Sequence, residues 1–252
     1  MKVALITGGS SGIGAATAKE LARRGWRVVI NYAHNKAAAD NVARESGNTI
    51  AVQADVSNDA DCRQLAKALL DKFGAIDALV NNAGTTKVVA HDNLEGLSAD
   101  DFQRIFALNV VAPFQMVRAC RDALKKSRGV VVNVSSVASV LGTGSSVAYA
   151  ASKAALETMS LSLARSLAPE VRVNCVAPGH TNTPWHVRMR GAERAAEVER
   201  RYEAIAPLKA VSQPPEVADA IVWLIEGGRN VTGQVIYVDG GMHIAAPSAS
   251  PR

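Results

Sequence analysis

The sequence predicts a doubly wound parallel β-sheet of about seven strands, with helices on both of its faces. Short β-branched segments alternate with alanine-rich helical segments along nearly the whole chain of 252 residues. Repetition of strand, helix and strand in this order is typical of parallel α/β domains. Aromatic residues make up only 4% of the chain, so small aliphatic side chains must form most of the core, as they do in buried parallel sheets.

Four strands are predicted in the first half of the chain, and each is followed by a helix. The strand segments are KVALIT, WRVVIN, TIAVQAD and IDALVNNAG. The helical segments are 15–24, 36–45, CRQLAKALLDKF and, after a loop, DFQRIFALNVVAPFQMVRACRDAL. Ligands of such sheets bind at the carboxyl ends of the strands, so the polar residues that follow these strands are candidates for a binding site.

The second half adds three strands, GVVVNVSS, VRVNCVAPG and QVIYVDGG, and two helices, AYAASKAALETMSLSLARSLA and EVADAIVWLIEG. A long excursion from Pro178 to Pro214 interrupts this pattern. Because connectors of this length are uncommon in compact domains, we predict a substrate lid or loop at about 179–214. The chain has no long linker, so we expect a single domain over 1–244 and a flexible tail over 245–252.

The charge pattern disfavours a nucleic-acid partner. The formal net charge is +5, but the segment RMRGAERAAEVERR mixes both signs, as a solvated helix does. Attraction for an anionic cofactor accounts for the basic balance equally well. The start MKVALITGGS becomes polar too early for a signal peptide, and no apolar run reaches the ~18 residues of a membrane span. We therefore expect a cytoplasmic protein without a membrane partner.

Neither the cysteines nor the histidines indicate metal or hydrolase chemistry. Cys62, Cys120 and Cys175 are widely spaced and lack a CxxC pair, so we expect reduced core residues. The absence of HExxH, of a cysteine pair and of clustered carboxylates disfavours a catalytic metal. No histidine is placed to activate a serine in a recognisable nucleophile elbow.

The glycine turn TGGSSGIG, Thr7 to Gly14, follows the first strand directly and begins the first helix. Gly8 permits a tight turn, Gly12 lets the backbone approach a phosphate, and Gly14 allows close packing of helix on sheet. The helix start offers free N–H groups and a positive dipole end to a pyrophosphate. Glycines alone are weak support, but their place in the first strand–helix unit predicts a nucleotide site.

The segment YAASK contains a chemically unusual pair, Tyr149 and Lys153, whose spacing places both on one face of a helix. Such a pair could be a surface contact, but two serines at a strand end, Ser135 and Ser136, lie 13 residues upstream. A nearby ammonium, together with an oxidised nicotinamide, should lower the pKa of the Tyr149 phenol from about 10. Tyr149 could then exchange a proton with a carbonyl or alcohol oxygen.

Together with NNAG at 81–84, LNV around Asn109 and PGxxxT from Pro178 to Thr183, these segments resemble the short-chain dehydrogenase/reductase family in order and spacing. The Gly-x-x-x-Gly-x-Gly turn follows the pattern of that family. The resemblance runs from Lys2 to Gly241 and is strongest to the 3-oxoacyl-[acyl-carrier-protein] reductase-like members of the single-domain branch. It implies a Rossmann-type sheet, a nicotinamide cofactor and hydride transfer to or from a ketone or secondary alcohol.

The resemblance also implies a catalytic set, which consists of Asn109, Ser136, Tyr149 and Lys153. By spacing, Ser136 rather than Ser135 matches the serine that binds the substrate carbonyl oxygen. Asn109 matches a residue that holds a water near Lys153 for proton relay. The plain alternative for Asn109 is a residue that kinks a helix.

The implied cofactor site draws on both halves of the chain. Asp55 would contact the adenine and Asn82 would help to line the adenosine ribose, although helix capping and turn formation are plain alternatives. Pro178 to Thr183 would close over the nicotinamide, but the family more often has an aliphatic residue where Thr181 stands, so that contact stays open. The full set is Gly8, Ser10, Ser11, Gly12, Ile13, Gly14, Tyr32, His34, Asn35, Asp55, Val56, Asn82, Ala83, Gly84, Tyr149, Lys153, Pro178, Gly179, Thr181 and Thr183.

The end of the second strand, INYAHN, favours NADP(H) over NAD(H). Tyr32 or its neighbours stand where an NAD-dependent enzyme places the acid that binds a ribose 2′-hydroxyl. No carboxylate there would repel a 2′-phosphate, and His34, Asn35 and Lys36 could donate to one. Ser11 argues the other way, because many NADPH-dependent relatives have a basic residue at that position, so NAD(H) remains the alternative.

The principal hypothesis is therefore an NADP(H)-dependent carbonyl reductase, with a 3-oxoacyl thioester as one candidate substrate. An NAD-dependent dehydrogenase of a sugar, polyol or steroid alcohol is the alternative, and a non-catalytic cofactor-binding regulator is a remote one. The resemblance implies a homotetramer. The substrate stays open, as does the question of whether His180, Trp185 and His186 touch it or only pack within the lid.

Overall fold

The fold is described by a computed structural model that covers residues 1–245. The predicted tail at 245–252 therefore lies outside the described residues, apart from Ala245. No helix in this described part of the chain is both long and apolar enough to cross a bilayer. The three cysteines are buried and unbridged, as expected.

Seven parallel strands form one sheet, which confirms the predicted fold class. The strands are β1 (Val3–Ile6), β2 (Arg27–Tyr32), β3 (Thr49–Gln53), β4 (Ala78–Asn81), β5 (Val130–Val134), β6 (Arg172–Pro178) and β7 (Val235–Val238). Their order across the sheet is β3-β2-β1-β4-β5-β6-β7. The strand order reverses between β1 and β4, and ligands of doubly wound sheets bind at the carboxyl ends beside such a reversal.

Helices cover both faces of the sheet and bury two separate cores. The helices are α1 (Gly12–Arg23), α2 (Lys36–Ser46), α3 (Asp59–Phe73), α4 (Ala99–Phe106), α5 (Ala112–Ser127), α6 (Ala138–Leu141), α7 (Val147–Leu167), α8 (Pro184–Arg190), α9 (Ala192–Ile205) and α10 (Pro214–Glu226). Helices α1, α2 and α10 pack on one face, with Leu21 and Ile221 in the core. Helices α3, α5 and α7 pack on the other face, with Leu65 and Met116 in the core.

The long helix predicted after β4 is interrupted in the middle. A π-helical segment, Ala107–Val111, joins α4 to α5 within the predicted helical stretch. Pro113 stands in the first turn of α5 and has no N–H to continue the regular bonding pattern. Asn109 lies within the widened turn, and such segments are frequent at functional sites.

The excursion between β6 and α10 contains two helices instead of the single charged helix that was predicted. Helices α8 and α9 are separated at Gly191, which has a φ of 80°. A parallel bridge between Thr181 and Ser212 joins the two ends of the excursion. The Asn182 N–H donates to the Ser212 carbonyl at 2.9 Å, and the Ser212 N–H donates to the His180 carbonyl at 3.1 Å. The Ser212 hydroxyl also donates to the Val238 carbonyl at 3.0 Å, which fixes the base of the excursion to the edge strand β7.

Candidate active site

One cleft of about 950 Å³ follows the carboxyl ends of β1, β2, β4, β5 and β6. The predicted site residues border it, except Gly14 and Asn109, which lie behind its wall. Among residues 1–245, Asp55 is the one carboxylate in the lining. The lining cations are Arg104, Lys153, Arg188 and Arg190. This balance of charge favours anionic ligands.

The glycine turn leaves no room for side chains. Gly8 and Gly12 have φ values of 63° and 56°, in the left-handed region that favours glycine. A Cβ on Gly8 would lie 2.9 Å from the Cα of Ala83. A Cβ on Gly14 would lie 2.5 Å from Nδ2 of Asn82 and 2.7 Å from the Gly8 carbonyl oxygen. The turn therefore packs backbone against backbone, as the glycine spacing predicts.

Asn82 braces this turn from the neighbouring strand end. Its carboxamide donates to the carbonyl oxygens of Thr7 and Gly8, both at 3.0 Å. In return, the Thr7 hydroxyl accepts the N–H groups of Asn82 and Ala83 at 3.0 and 3.1 Å. The turn-forming role that the sequence offered for Asn82 is thus confirmed, and its ribose contact stays a prediction.

The start of α1 fits a pyrophosphate. Ser11 is the N-cap residue, but its hydroxyl caps none of the N–H groups of the helix. The first turn, residues 12–15, contains no acidic side chain. Thr183, from the base of the excursion, lies beside the turn, with its methyl group 3.2 Å from where a Cβ on Gly12 would be. Free N–H groups in a cradle without side chains are what an anionic phosphate requires.

The end of β2 presents polar side chains at the rim of the cleft. Tyr32 is buried, whereas His34 and Asn35 are exposed and border the cleft. Oδ1 of Asn35 accepts the Ala38 N–H at 3.0 Å and so caps α2, which leaves its NH2 group available. Lys36 instead pairs with Asp40 at 2.6 Å on the same helix. Of the three predicted donors, two therefore face the cleft.

Asp55 follows β3 and shapes the local turn. Its carboxylate accepts the Ser57 N–H at 3.0 Å and the Ser57 hydroxyl at 2.7 Å. Val56, beside it, is buried. This turn-forming role matches the plain alternative for Asp55, and the adenine contact stays a prediction.

Tyr149 and Lys153 lie on one face of α7, as their spacing predicts. Both are buried, with 9% and 5% of their surfaces exposed. The Lys153 ammonium lies 5.7 Å from the centroid of the Tyr149 ring and donates to the Val134 carbonyl at 2.8 Å. The Ser146 hydroxyl caps the helix by accepting the Tyr149 N–H at 3.3 Å. The helix start therefore fixes the position of the phenol.

Burial shifts the pKa values of Tyr149 and Lys153 in opposite directions from their usual values. It raises the pKa of Tyr149 to about 12, and the nearby Ser136 hydroxyl offsets part of this rise. It lowers the pKa of Lys153 to about 8. Loss of hydration thus destabilises the phenolate in the chain alone, and the downward shift expected when an oxidised nicotinamide is bound stays a prediction.

The two adjacent serines have different surroundings. Ser136 borders the cleft, and its hydroxyl accepts the Ala138 N–H at 3.2 Å. Ser135 donates to a carboxylate oxygen of Glu157 at 2.6 Å, and Ser139 donates to the same oxygen at 2.6 Å. Glu157 thus engages the Ser135 hydroxyl and holds the segment that carries Ser136.

Asn109 connects three parts of the site from behind. Its Oδ1 accepts the Thr85 N–H at 2.8 Å, and its Nδ2 donates to the Thr85 carbonyl at 3.0 Å. The same Nδ2 donates to the Ser152 hydroxyl at 2.9 Å, next to Lys153. The residue thus ties the π-helical segment to the loop after β4 and to α7. The predicted water near Lys153 stays a prediction.

The segment after β6 closes the cleft on the other side. Pro178 ends the strand, and a Cβ on Gly179 would lie 2.8 Å from the Cβ of Asp239. Thr181 and Thr183 are buried, and the Thr181 hydroxyl donates weakly to the Gly179 carbonyl at 3.4 Å. Tight packing at Gly179 and the Thr181 bridge to Ser212 hold this segment against the cleft.

A series of ring side chains extends from Tyr149 along the excursion. The ring centroids of Tyr149 and Trp185 are 6.0 Å apart, and those of Trp185 and His186 are 5.4 Å apart. His186 lies 4.1 Å from His180, which stacks on Tyr202 at 5.1 Å. All five residues border the cleft. His180, Trp185 and His186 therefore pack within the excursion and are also accessible to a ligand in the cleft.

Several residues that border the cleft were not predicted from the sequence, and those within the excursion were missed because of its mixed charge. The residues are Arg104, Thr143, Ser145, Met189, Arg190, Val198 and Tyr202. Most of α9 is exposed, as the charge pattern predicts. Val198 and Tyr202 nevertheless face the cleft. Their spacing of four residues places them on one face of this charged helix, and that spacing could have indicated a buried face from the sequence.

Comparisons with known proteins agree with this geometry. A family profile described as enoyl-(acyl carrier protein) reductase matches residues 8–243. The chain is 39% identical to a 3-oxoacyl-[acyl-carrier-protein] reductase of a Synechocystis species over 249 residues, which cover 96% of each protein. It is 34% identical to glucose 1-dehydrogenase 2 of Bacillus subtilis over 249 residues, covering 96% of this chain and 94% of that protein.

A solved structure extends the match to three dimensions. A crystal structure from Burkholderia xenovorans, described as a short-chain dehydrogenase/reductase, superposes with a TM-score of 0.88 at 39% identity. The superposition covers 97% of this chain and 99% of that one.

Proposed function

The chain belongs to the short-chain dehydrogenase/reductase family, and from this premise we propose that it is an NADP(H)-dependent reductase of ketones, with 3-oxoacyl thioesters favoured. That it is an oxidoreductase using a nicotinamide cofactor follows from the family. The observation that supports the proposal is the buried Tyr149 at the cleft, with the Lys153 ammonium 5.7 Å from its ring centroid. A regulator without chemistry would not need this pair.

The catalytic roles follow from the positions of three side chains. A bound nicotinamide supplies or accepts the hydride. Tyr149 gives its phenolic proton to the substrate carbonyl oxygen during reduction and takes it back during oxidation. Ser136, which borders the cleft together with Tyr149, donates to the same oxygen as negative charge develops there. Asn109 positions Ser152 and α7 and would hold the relay water.

Lys153 provides a positive charge that favours the Tyr149 phenolate, which is needed in the oxidative direction. With a pKa of about 12, Tyr149 is protonated and ready to donate in the reductive direction. In the oxidative direction the phenolate must form, and each unit by which its pKa falls corresponds to ~1.4 kcal/mol. Lys153, with a pKa of about 8, is predominantly charged at pH 7 and stabilises that phenolate.

The residues of the glycine turn and the strand ends would hold the cofactor. Ser10, Ser11, Gly12 and Ile13 would cradle the pyrophosphate at the uncapped start of α1. The remaining contacts follow the resemblance: Asp55 and Val56 at the adenine, Asn82 to Gly84 at the ribose, and Pro178 to Thr183 over the nicotinamide.

The preference for NADP(H) is supported at the end of β2. His34 and Asn35 are exposed at the rim, and no carboxylate among the described cleft residues lies on this strand end. A 2′-phosphate would find hydrogen-bond donors there and no opposing charge. Asp55, the one carboxylate among the described residues that border the cleft, follows β3 and is bonded to Ser57.

We assign residues 1–244 to one domain and the excursion at about 179–214 to a substrate lid. Its fixed base at Thr181 and Ser212 and its cleft-facing helices support that assignment. A homotetramer is likewise a proposal. It is supported by exposed apolar side chains at the π-helical segment, α5 and α7, namely Val111, Phe114, Val147 and Leu161. Sedimentation velocity checks the assembly.

A second candidate is an NAD-dependent dehydrogenase of a sugar or polyol. The similarity to a protein named glucose 1-dehydrogenase 2 supports it. The uncharged Ser11 also supports NAD(H), because the basic residue that many NADPH-dependent relatives have at this position, and that would bind a 2′-phosphate, is missing.

Steady-state kinetics with both cofactors tests the proposal. We expect a KM for NADPH about tenfold or more below that for NADH, because the rim offers donors to a 2′-phosphate. The panel contains acetoacetyl thioesters, simple ketones and polyols. Reduction of a thioester or ketone with NADPH supports the proposal. A preference for NADH together with polyol oxidation would overturn it in favour of the second candidate.

A further inference from the structure

The substrate end of the cleft contains a cation that no group of the described chain neutralises. Arg190, the last residue of α8, borders the cleft, and its buried Nε has no hydrogen-bond partner among residues 1–245. Arg194, on the next helix, pairs with Glu197, whereas no ion pair of the described residues involves Arg190. An unsatisfied buried donor is costly, so a ligand group that accepts from it would be stabilised.

Neutral hydrogen-bonding groups border the same cleft as this guanidinium. Burial and the nearby Arg190 charge lower the pKa of His180 to about 4, and burial and the charges of His180 and Arg190 lower that of His186 to about 3. Both imidazoles are therefore neutral near pH 7, and each has one N–H to donate. Tyr202 stacks on His180 and adds a phenolic hydroxyl to the same wall.

The acidic groups of the described chain lie elsewhere. Asp55 is at the far end of the cleft, after β3, where it bonds to Ser57. Glu199 lines a second, smaller cavity of about 170 Å³ that also touches His180 and His186. On the cleft side, a negatively charged ligand would therefore meet Arg190 without a competing carboxylate.

We propose that this end of the cleft is an oxyanion subsite, at which Arg190 binds a carboxylate or phosphate of the substrate at a distance from the reacting carbonyl. His180, His186 and Tyr202 supply neutral donors around the anion. The ring series from Tyr149 to Tyr202 joins the proton donor to the subsite, so one elongated molecule can reach both. A planar guanidinium matches both oxyanions in geometry. As a statement about the substrate, the inference rests on the proposed reductase function.

Two pairs of probes, each with a negatively charged and a neutral member, test the subsite. For a carboxylate, the pair is 4-oxopentanoate and its methyl ester. For a phosphate, the pair is acetoacetyl coenzyme A and the acetoacetyl thioester of N-acetylcysteamine. kcat/KM is measured for the full chain and for Arg190→Gln, Arg190→Lys and the matched surface control Arg194→Gln.

We expect the wild-type protein to prefer the charged member of one pair, which identifies the anion. Arg190→Gln should lower kcat/KM for that probe by about 10- to 100-fold, with little change for its neutral partner. Arg190→Lys should restore part of the loss, and Arg194→Gln should change neither probe. An equal loss for the charged and neutral partners, or no preference in the wild-type protein, would overturn the subsite.

Calorimetry separates this inference from the reductase proposal. 4-Oxopentanoate and coenzyme A are titrated into the NADP⁺-saturated wild-type protein and into Arg190→Gln. If no probe is reduced but an anion binds to the wild type and about 10-fold or more weakly to the variant, the reductase proposal fails and the subsite stands. If neutral ketones are reduced but neither anion binds, the subsite fails and the reductase proposal stands.

Discussion

The cofactor end and the substrate end of the cleft are held together by different kinds of contact. At the cofactor end, the glycine turn packs against the backbone that follows β4, with a Cβ position on Gly8 only 2.9 Å from the Ala83 Cα. At the substrate end, side chains of the excursion stack on one another, as His180 and His186 do at 4.1 Å. Backbone sterics set the shape of the first region, and side-chain identity sets that of the second.

This difference explains how one frame can serve many substrates. Contacts between backbones do not depend on the identity of most side chains. At the cofactor end, residues can therefore be substituted except at the positions that require glycine. Side chains on α8 and α9 can be exchanged while the Thr181–Ser212 bridge keeps the base of the excursion in place. Specificity can therefore change at one end without any change in the position of the hydride donor.

Gly14→Ala should have a large effect at the cofactor end. The new Cβ would meet Asn82 Nδ2 and the Gly8 carbonyl oxygen, which brace the turn and cannot easily move. Overpacking of this kind costs about 3 kcal/mol of unfolding free energy at its upper range. We expect a loss of that size in urea unfolding, and a loss of cofactor affinity of about 100-fold if the clash is relieved by shifting the turn.

Gly228→Ala is the matched control. Its Cβ would meet neighbours at 3.5 Å or more, which is ordinary contact distance. The control should bind the cofactor like the wild-type protein. If Gly14→Ala behaved like Gly228→Ala, the cofactor end would not be fixed by backbone packing.

Acid should loosen the substrate end, with a smaller effect. The pKa values of His180 and His186 lie at about 4 and about 3 instead of 6.5. The unfolded chain takes up protons below pH 6.5 while the folded protein does not, so stability present above pH 6.5 is lost as the pH falls toward 4. We expect each of the two histidines to contribute about 1–2 kcal/mol to the drop in unfolding free energy between pH 6.5 and 5.

Urea unfolding at the two pH values checks this expectation. The double variant His180→Gln and His186→Gln should lose most of the drop, because neither glutamine titrates in this window. An equal drop in the variant would place the acid-sensitive groups elsewhere in the protein.

The sheet and the catalytic pair could be predicted because their signals are local. The β-branched segments that became β1 and β5 are hydrophobic throughout, as strands buried on both faces must be. The spacing of Tyr149 and Lys153 places them together on any helix. The glycine turn follows the same logic, since Gly8 and Gly12 adopt the positive φ values for which glycine is required.

The features that could not be predicted from the sequence depend on contacts between distant parts of the chain. The π-helical segment coincides with the hydrogen bonds of Asn109 to Thr85, which is 24 residues away. Arg190 and Tyr202 belong to the excursion and border the cleft. The two ends of the excursion are joined by the bridge between Thr181 and Ser212, which are 31 positions apart in the sequence. The raised pKa of Tyr149 follows from burial, which a single segment of sequence does not reveal.

Tyr149→Phe tests the proposed chemistry most directly. Phenylalanine keeps the ring that lies 6.0 Å from Trp185 and removes only the proton donor. We expect kcat for ketone reduction to fall by about 100- to 10,000-fold, while fluorescence titration gives an NADPH Kd close to that of the wild-type protein. If Tyr149→Phe binds NADPH and turns over at a rate near that of the wild type, Tyr149 is not the proton donor and the proposed mechanism is wrong.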